Sequence, residues 1–199
     1  MDRYLWVILG VVLLWLLFAP QPKARWEGAR VTEAPIQVSD GLPAPWTRGR
    51  MTFTPKARYE IGAVILSKHH YWAGFREDRI APYDLALGWG AMSDAAVINA
   101  LHISQGYRWY QYSWDGEPPI DPSDIVRHSS NHHIIPADSK VLKKIKSLQR
   151  LDEVVMKGYL VEVSLPDGWR WTTSLTREDA GGGSCEVLWV ESVERVMQP

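Results

Sequence analysis

Apolar residues follow different patterns in the first and in the later part of the chain. The run Leu5–Ala19 is uncharged and apolar, and Pro20 and Pro22 follow it directly. As a helix, these residues would rise about 22 Å, which is slightly short for a membrane span and long for a typical buried helix. The pattern predicts a membrane anchor or a signal segment over residues 1–20.

Cleavage and orientation decide what this segment does. A secretory signal ends in small residues spaced as Ala-x-Ala, but Ala19 precedes Pro20 and no good site follows, which favours an uncleaved anchor. The basic residues Lys23 and Arg25 after the run favour a cytoplasmic body, whereas an apolar segment at the very N-terminus is typical of export. We expect a single-pass membrane protein with an extracytoplasmic body.

The next segment, residues 21–55, is rich in proline and is predicted to be a linker or an extended arm. It also carries Trp26 and Trp46, whose exposure to water would be unfavourable, so part of the arm should lie against the body. Residues 56–199 are enough for one domain with a single core. No internal repeat is seen, which argues against a solenoid.

Within the body, alternating and β-branched residues predict strands and helical spacing predicts two helices. The first helix is expected over Asp94–Leu101 with Ser93 as its cap, and the second over Ser139–Leu151 with Ser139 as its cap. Strands are expected at Ala57–Leu66, Gly106–Trp114, Glu153–Leu165, Trp169–Thr173 and Cys185–Val196. The fold class is therefore α+β and mostly antiparallel, with a C-terminal part resembling a small OB-like or SH3-like barrel.

Three histidines lie close together, at His128, His132 and His133. Imidazoles can bind zinc or act as a general base near neutral pH. An extended chain would place His128 and His132 on one side and His133 on the other, so a carboxylate from elsewhere would have to complete a zinc site. Asp84, Asp94 and Asp138 are candidates for that carboxylate, and another histidine could take its place. The alternative is that the histidines bond backbone groups near the core.

Other reactive residues lack a supporting motif. Ser129, Ser130, Ser174 and Cys185 do not lie in a recognised nucleophile motif, so nucleophilic catalysis is not expected. The glycines of 180–184 lack the ending of a phosphate-binding loop and are interpreted as a flexible turn. Cys185 is the only cysteine, which excludes an intramolecular disulfide.

Tryptophan is abundant, with 11 in 199 residues, while the formal net charge is only −1. Aromatic faces stack on sugars and bases but also fill cores, and the near-neutral charge disfavours nucleic acid. The segment Pro82–Gly90, with Met92, Ser93 and Asp94 after it, combines an acid, two glycines and a tryptophan and is interpreted as a loop of the kind that lines sites. The candidate ligand-binding residues are Asp84, Trp89, Trp109, Tyr112, Trp114, Asn131 and His133.

Three segments together carry a resemblance to known proteins. They are Asp84–Asp94, Asn131–Asp138 and the stretch from Gly168 to Leu175. In these segments and in its overall layout, the chain resembles a group of uncharacterised bacterial proteins with one N-terminal membrane segment. The resemblance implies a bacterial, membrane-linked protein, which we therefore expect in the inner membrane. It carries over no activity, cofactor or site.

Three functions from different classes follow from the sequence. The leading hypothesis is a membrane-tethered envelope module that binds a protein or glycan partner through aromatic residues. The first alternative is a metal-dependent hydrolase using His128, His132 or His133, with zinc as the metal. The second is a nucleic-acid-binding barrel. The sequence leaves open whether the protein is an enzyme.

Overall fold

The computed structural model describes residues 28, 30–72, 74–176 and 184–196. The apolar run Leu5–Ala19, Trp26 and the glycines of 181–183 lie outside the described residues. Within the described ranges, no helix has both the length and the apolar character needed to cross a membrane.

The described residues form a strand-rich α+β domain. The ten strands are β1 (Ile36–Val38), β2 (Trp46–Arg48), β3 (Met51–His70), β4 (Tyr83–Gly88), β5 (Leu101–Gly106), β6 (Trp109–Trp114), β7 (Ser129–Pro136), β8 (Glu153–Ser164), β9 (Arg170–Trp171) and β10 (Glu186–Arg195). The helices are α1 (Arg76–Ile80), α2 (Ala95–Ala100), α3 (Pro122–Arg127) and α4 (Ser139–Ser147), with a 3₁₀ turn at Gly90–Ser93.

Five of the strands close into a ring. Its order is β3, β4, β7, β10, β8 and back to β3, and every pairing is antiparallel except that of β7 with β10. Helix α4 connects β7 to β8. The ring takes strands from the whole body, whereas the sequence placed a small barrel only in the C-terminal part.

Strand β3 is long enough to pair with two neighbours in the ring. It pairs with β8 from Thr52 to Val64 and with β4 from Val64 to His70. The register shifts once near Pro55, which has no N–H to donate, and again between Ile65 and Ser67. These irregularities bend the strand around the barrel.

The apolar core fills the inside of the ring. Side chains such as Ile61, Leu85 and Met156 are fully buried there. Val141 and Ile145 of α4 and Leu148 after it belong to the same cluster, so the helix covers the barrel with its apolar face. Removal of this apolar surface from water stabilises the barrel.

Strands β5 and β6 form a separate hairpin between β4 and β7 in the chain. Its turn residues, Tyr107 and Arg108, both have positive φ angles of 52° and 67°. The sequence prediction of one strand over Gly106–Trp114 is wrong at its start, because this turn interrupts it. Two such angles match the turn of a two-residue hairpin, which normally uses glycine or asparagine.

Two predicted helix caps are wrong by one residue. Asp94, not Ser93, accepts a hydrogen bond from the N–H of Ala96, and Asp138, not Ser139, accepts from Lys140 and Val141. Both helices also end earlier than predicted, at Ala100 and Ser147. An aspartate is as good an N-cap as a serine, so the pattern allowed either residue.

The prediction of a loop over Pro82–Gly90 and on to Asp94 is also wrong. Its first part is the fully buried strand β4, and only the 3₁₀ turn and the cap of α2 follow it. Part of the proline-rich arm lies on the barrel: β1 and β2 pair with β3, and the N–H of Val31 donates to Oγ of Ser93 at 2.9 Å.

Gly158 of β8 provides a test of the ring closure. It pairs with Tyr59 of β3 and with Val190 of β10, and a Cβ at this position would overlap the carbonyl oxygen of Trp189. We expect Gly158→Ala to lower the free energy of unfolding by about 1–3 kcal/mol, measured by urea denaturation. Gly106→Ala is the control, because its Cβ would meet no atom within 4 Å. Equal stability of the two variants would contradict the close approach of β8 and β10.

Candidate functional site

A buried pair of Asp84 and His133 lies on the outer face of the barrel. The two residues are direct cross-strand partners on β4 and β7, and Oδ1 of Asp84 is 2.9 Å from Nδ1 of His133. Asp84 is fully buried and His133 is 4% exposed. Because an ionised carboxylate can only accept, Nδ1 of His133 carries the hydrogen of this bond. The sequence prediction that both residues belong to one site is thus consistent with the geometry.

Arg108 joins this pair from the tip of the β5–β6 hairpin. Its Nη1 lies 2.7 Å from Oδ1 of Asp84, and its Nη2 lies 2.6 Å from Oδ1 of Asp78 in α1. Nη1 also donates to the carbonyl of Ala81 at 2.9 Å, and the guanidinium stacks 3.8 Å from the ring centre of Tyr71. One cation therefore holds two acidic side chains from different elements.

The two carboxyls have opposing influences on their pKa values. Burial raises the pKa of Asp84, but the hydrogen bond from His133 and the charge of Arg108 outweigh it, so the pKa lies below its ordinary value. Burial also raises the pKa of Asp78, but the hydrogen bonds from the N–H of Phe75 and from Arg108 lower it by more, so this pKa too lies below its ordinary value. Both carboxyls are therefore ionised at neutral pH.

Tyr71 and Asn131 complete the polar cluster. Tyr71 donates from its hydroxyl to Oδ2 of Asp84 at 3.1 Å and accepts from the N–H of Arg108 at 2.9 Å. Burial and the charge of Asp84 raise the pKa of Tyr71, so the hydroxyl keeps its proton. Asn131 donates from Nδ2 to the carbonyl of Arg108 at 3.1 Å. These bonds fix the hairpin turn against β7.

An open cleft of about 240 Å³ lies beside the cluster. Arg108 and Trp109 border it from the hairpin, His133 from β7, and Trp171 with Thr172 from the segment at β9; Cys185 is the sixth residue. The rings of His133 and Trp171 lie 4.8 Å apart, centre to centre. Trp109 is 43% exposed, and the adjacent Tyr107 is 94% exposed. The cleft thus combines aromatic walls with polar groups.

Cys185 comes into the cleft through the parallel pairing of β7 and β10. Glu186 pairs with His132, so Cys185 reaches the position beside Asn131, and its Sγ lies 3.7 Å from Nδ2 of Asn131. Asn131 and His133 lie on the same face of β7, because residues two apart in a strand share a face. No local motif marks this cysteine in the sequence, so its place in the cleft is not predicted there.

Three of the predicted ligand-binding residues lie in the core or against it instead. Trp89 is 2% exposed and belongs to the barrel core. Tyr112 and Trp114 are half-buried on the inner side of the hairpin and pack on the second apolar cluster, with Ile98 and Ile125. Exposed and half-buried residues alternate along β6, and these two residues occupy its inner face. Of the aromatic candidates, Trp109 lines the cleft.

The three predicted zinc ligands point to different places. His128 ends α3 and has Nδ1 2.8 Å from the carbonyl of Asp124, while His132 lies inside the barrel with Nε2 3.1 Å from the hydroxyl of Tyr59. His133 faces the opposite side of β7, as predicted for an extended chain. Asp94 and Asp138 cap helices instead of joining Asp84. The described residues contain no group of three or more side chains suited to hold a metal.

The signals for Arg108 and Trp171 were weak in the sequence. Arg108 follows Tyr107 at a turn without glycine or asparagine, and Trp171 belongs to a two-residue strand.

Comparison with known proteins adds no further residues: no protein-family model matches the chain, and neither the curated proteins nor the solved structures contain a match.

Removal of the Arg108 guanidinium tests its role in the fold. Arg108→Met keeps the apolar stem but leaves Asp84 buried with one partner fewer, so we expect the free energy of unfolding to fall by about 3 kcal/mol. Arg127→Met is the matched control, because Arg127 is exposed and is 3.4 Å from Asp124 of the same helix. We expect a change below about 0.5 kcal/mol for the control. Urea denaturation measures both, and similar losses would contradict a special role for Arg108.

The pH dependence of stability tests the same ion pairs. A carboxyl whose pKa is depressed in the folded state contributes stability above its unfolded pKa of about 3.9, and this is lost as pH falls through the folded value. We expect the stability of the wild type to fall on acidification below about pH 4, and its advantage over Arg108→Met to shrink there. Urea denaturation at a series of pH values checks this. An advantage that is constant down to about pH 2 would be inconsistent with ionised Asp78 and Asp84.

Proposed function

We propose that the protein is a membrane-tethered envelope module that binds a glycan in the cleft between the hairpin tip and β9. The observation that supports this most is the composition of the cleft. Trp109 and Trp171 offer apolar aromatic faces, while Arg108, His133 and Thr172 offer polar groups between them. Sugars present apolar ring faces and hydroxyl edges together, and this lining is suited to both.

The size of the cleft limits what enters it. Its volume of about 240 Å³ is below the roughly 300–1,000 Å³ typical of small-molecule sites. A single sugar residue or the end of a longer chain is the appropriate size. Tyr107 and Trp109 extend aromatic surface beyond the cleft and are available for neighbouring sugar units.

The topology supports a ligand at this place. In chain order, the five strands of the ring are β3, β4, β7, β8 and β10, and helix α4 lies between the third and the fourth. We interpret this arrangement as an OB-like barrel. Such barrels bind oligosaccharides and oligonucleotides across the second and third strands, between the loops after the first and fourth strands. The cleft lies beside β7 and is bordered by the segment between β8 and β10. The inserted hairpin occupies part of that face and narrows it.

The charges favour a glycan over a nucleic acid. Binding to a phosphate backbone requires cations that are not already neutralised. In the cleft, Arg108 forms ion pairs with two aspartates. Arg76, which lies in the same helix as Asp78, is paired with Asp167 at 3.2 Å. The formal net charge of −1 agrees with this. Nucleic-acid binding stays an alternative, and its test is the same titration described below.

The membrane tether is part of the proposal because the chain begins with the uncharged apolar run Leu5–Ala19. Leu5–Ala19 is the anchor, and the arm after it would connect the anchor to the barrel, where Val31 and β1 lie against the body.

The metal-dependent hydrolase stays a hypothesis as well. Its histidines point in different directions, so a zinc site would need ligands beyond those the cluster brings together.

The aromatic walls provide the test of glycan binding. We expect the soluble domain from residue 28 onward to bind N-acetylglucosamine oligomers, and Trp171→Ala to weaken this binding about tenfold, since a lost stacking contact is worth about 1–3 kcal/mol. Isothermal titration calorimetry measures the affinity. Trp72→Ala is the matched control, because Trp72 is 86% exposed and does not line the cleft.

The same titration separates the competing ligands. A single-stranded oligothymidylate is titrated in parallel at two salt concentrations. Binding of the oligothymidylate that weakens with salt, without binding of the sugar oligomers, would favour the nucleic-acid alternative. An equal loss in Trp171→Ala and Trp72→Ala would contradict the assignment of the cleft. Circular dichroism confirms that the variants are folded.

A further inference from the structure

We propose that Cys185, His133 and Asp84 form a nucleophilic site in which the thiol attacks the ester carbonyl of a bound ligand. The inference rests on the cleft of the proposed function but not on the identity of the ligand. It goes beyond binding because the cleft brings together a nucleophile, a base and the group that orients the base. These three roles define nucleophilic catalysis on many unrelated folds.

The imidazole is oriented for this role. His133 is 4% exposed, and its Nδ1 is bonded to the fully buried carboxylate of Asp84. This bond fixes the tautomer with hydrogen on Nδ1 and leaves Nε2 as the acceptor. Within the described part of the chain, no hydrogen bond to Nε2 is found, and the ring lines the cleft. Nε2 is therefore available to accept a proton.

The thiol lies in the same cleft and on the same face. Register places Cys185 beside Asn131, two residues from His133 along β7. Cys185 and His133 are therefore diagonal neighbours on adjacent strands, about 7–8 Å apart, a separation across which long side chains on one face can still reach each other. Sγ is also 3.9 Å from the carbonyl of Arg108, so it lies at the base of the hairpin tip. The thiol and the imidazole thus face one volume of about 240 Å³.

Ionisation of the thiol depends on His133 as the acceptor of its proton, because the other charged groups here sum to one negative charge. The charged groups that face this region are Arg108 from the hairpin, Asp78 from α1 and Asp84 from β4, with Tyr71 as a neutral hydroxyl. A nearby imidazole that accepts the thiol proton leaves a thiolate beside an imidazolium, which is the usual way a protein activates cysteine. Asp84 then stabilises the imidazolium through Nδ1.

The reaction is balanced with an ester and water. The proton of the Cys185 thiol passes to Nε2 of His133, and sulfur forms a bond to the ester carbonyl carbon. The alcohol leaves with the proton from His133, which gives a thioester on Cys185. Water then attacks the thioester, its proton passes through His133 to sulfur, and a carboxylic acid is released. An acyl group carried on a sugar is the substrate class that agrees with the aromatic walls.

The rate of thiol alkylation tests the pair without any glycan. We expect wild-type Cys185 to react with iodoacetamide at pH 7 about tenfold faster than in His133→Gln, because a cysteine of ordinary pKa near 8.5 is only a few per cent thiolate there. The pH midpoint of the wild-type rate should lie clearly below 8.5. Intact-mass spectrometry follows the reaction at the single cysteine.

His102→Gln is the matched control variant. His102 also pairs with an aspartate at 2.9 Å, Asp115, but it is exposed and lies on the hairpin away from the cleft. We expect its alkylation rate to equal that of the wild type. A general effect of histidine removal on the protein would change both variants, whereas the proposal requires a change in His133→Gln alone.

A second measurement follows acyl transfer directly. p-Nitrophenyl acetate should place one acetyl group on Cys185, which Cys185→Ala abolishes, and the acetyl group should persist longer in His133→Gln. A wild-type pH midpoint near 8.5, or no acetylation of Cys185, would overturn the proposal even if His133→Gln does not fold. Glycan binding could still hold in that case, because Trp171→Ala tests it independently.

Discussion

The guanidinium of Arg108 is the interaction on which the site depends. It lies 2.7 Å from Asp84 and 2.6 Å from Asp78, two carboxylates that would repel each other without it. Because Arg108 is at the tip of the β5–β6 hairpin, its ion pairs also hold the backbone of Tyr107 and Arg108 at positive φ. That conformation is unfavourable for residues with a side chain, and the contacts at the tip offset its cost.

This fixed hairpin determines the shape of the cleft. The outer face of β4 and β7 would be a broad open surface in a bare five-stranded ring. With the hairpin laid over it, the space that remains is bounded by Arg108 and Trp109 on one side and by Trp171 and Thr172 on the other. The inner side of the hairpin is packed with Tyr110, Tyr112 and Trp114 on apolar residues. Apolar packing and ion pairs therefore act together to position the hairpin side of the cleft.

The elements that the sequence predicted well are those with a local pattern. Strand β8, strand β10 and helix α4 show their periods directly, and their positions agree with the structure apart from the ends. The hairpin turn was missed because Tyr107 and Arg108 carry no turn signature, and β4 was interpreted as a loop because it combines Asp84 with glycines. Cys185 could not be predicted to join His133, since their proximity depends on the parallel pairing of distant strands.

The sum of the charges links binding and reactivity in one place. Asp78 and Asp84 with Arg108 leave one negative charge beside His133, and the proposed proton transfer places its positive charge next to that negative charge. A positive charge forms there when the imidazole takes a proton from a thiol or from a bound hydroxyl. Arg108 weakens the attraction between Asp84 and this imidazolium, because the carboxylate is shared with the guanidinium. The same arginine that builds the wall of the cleft thus also limits how strongly Asp84 can activate His133.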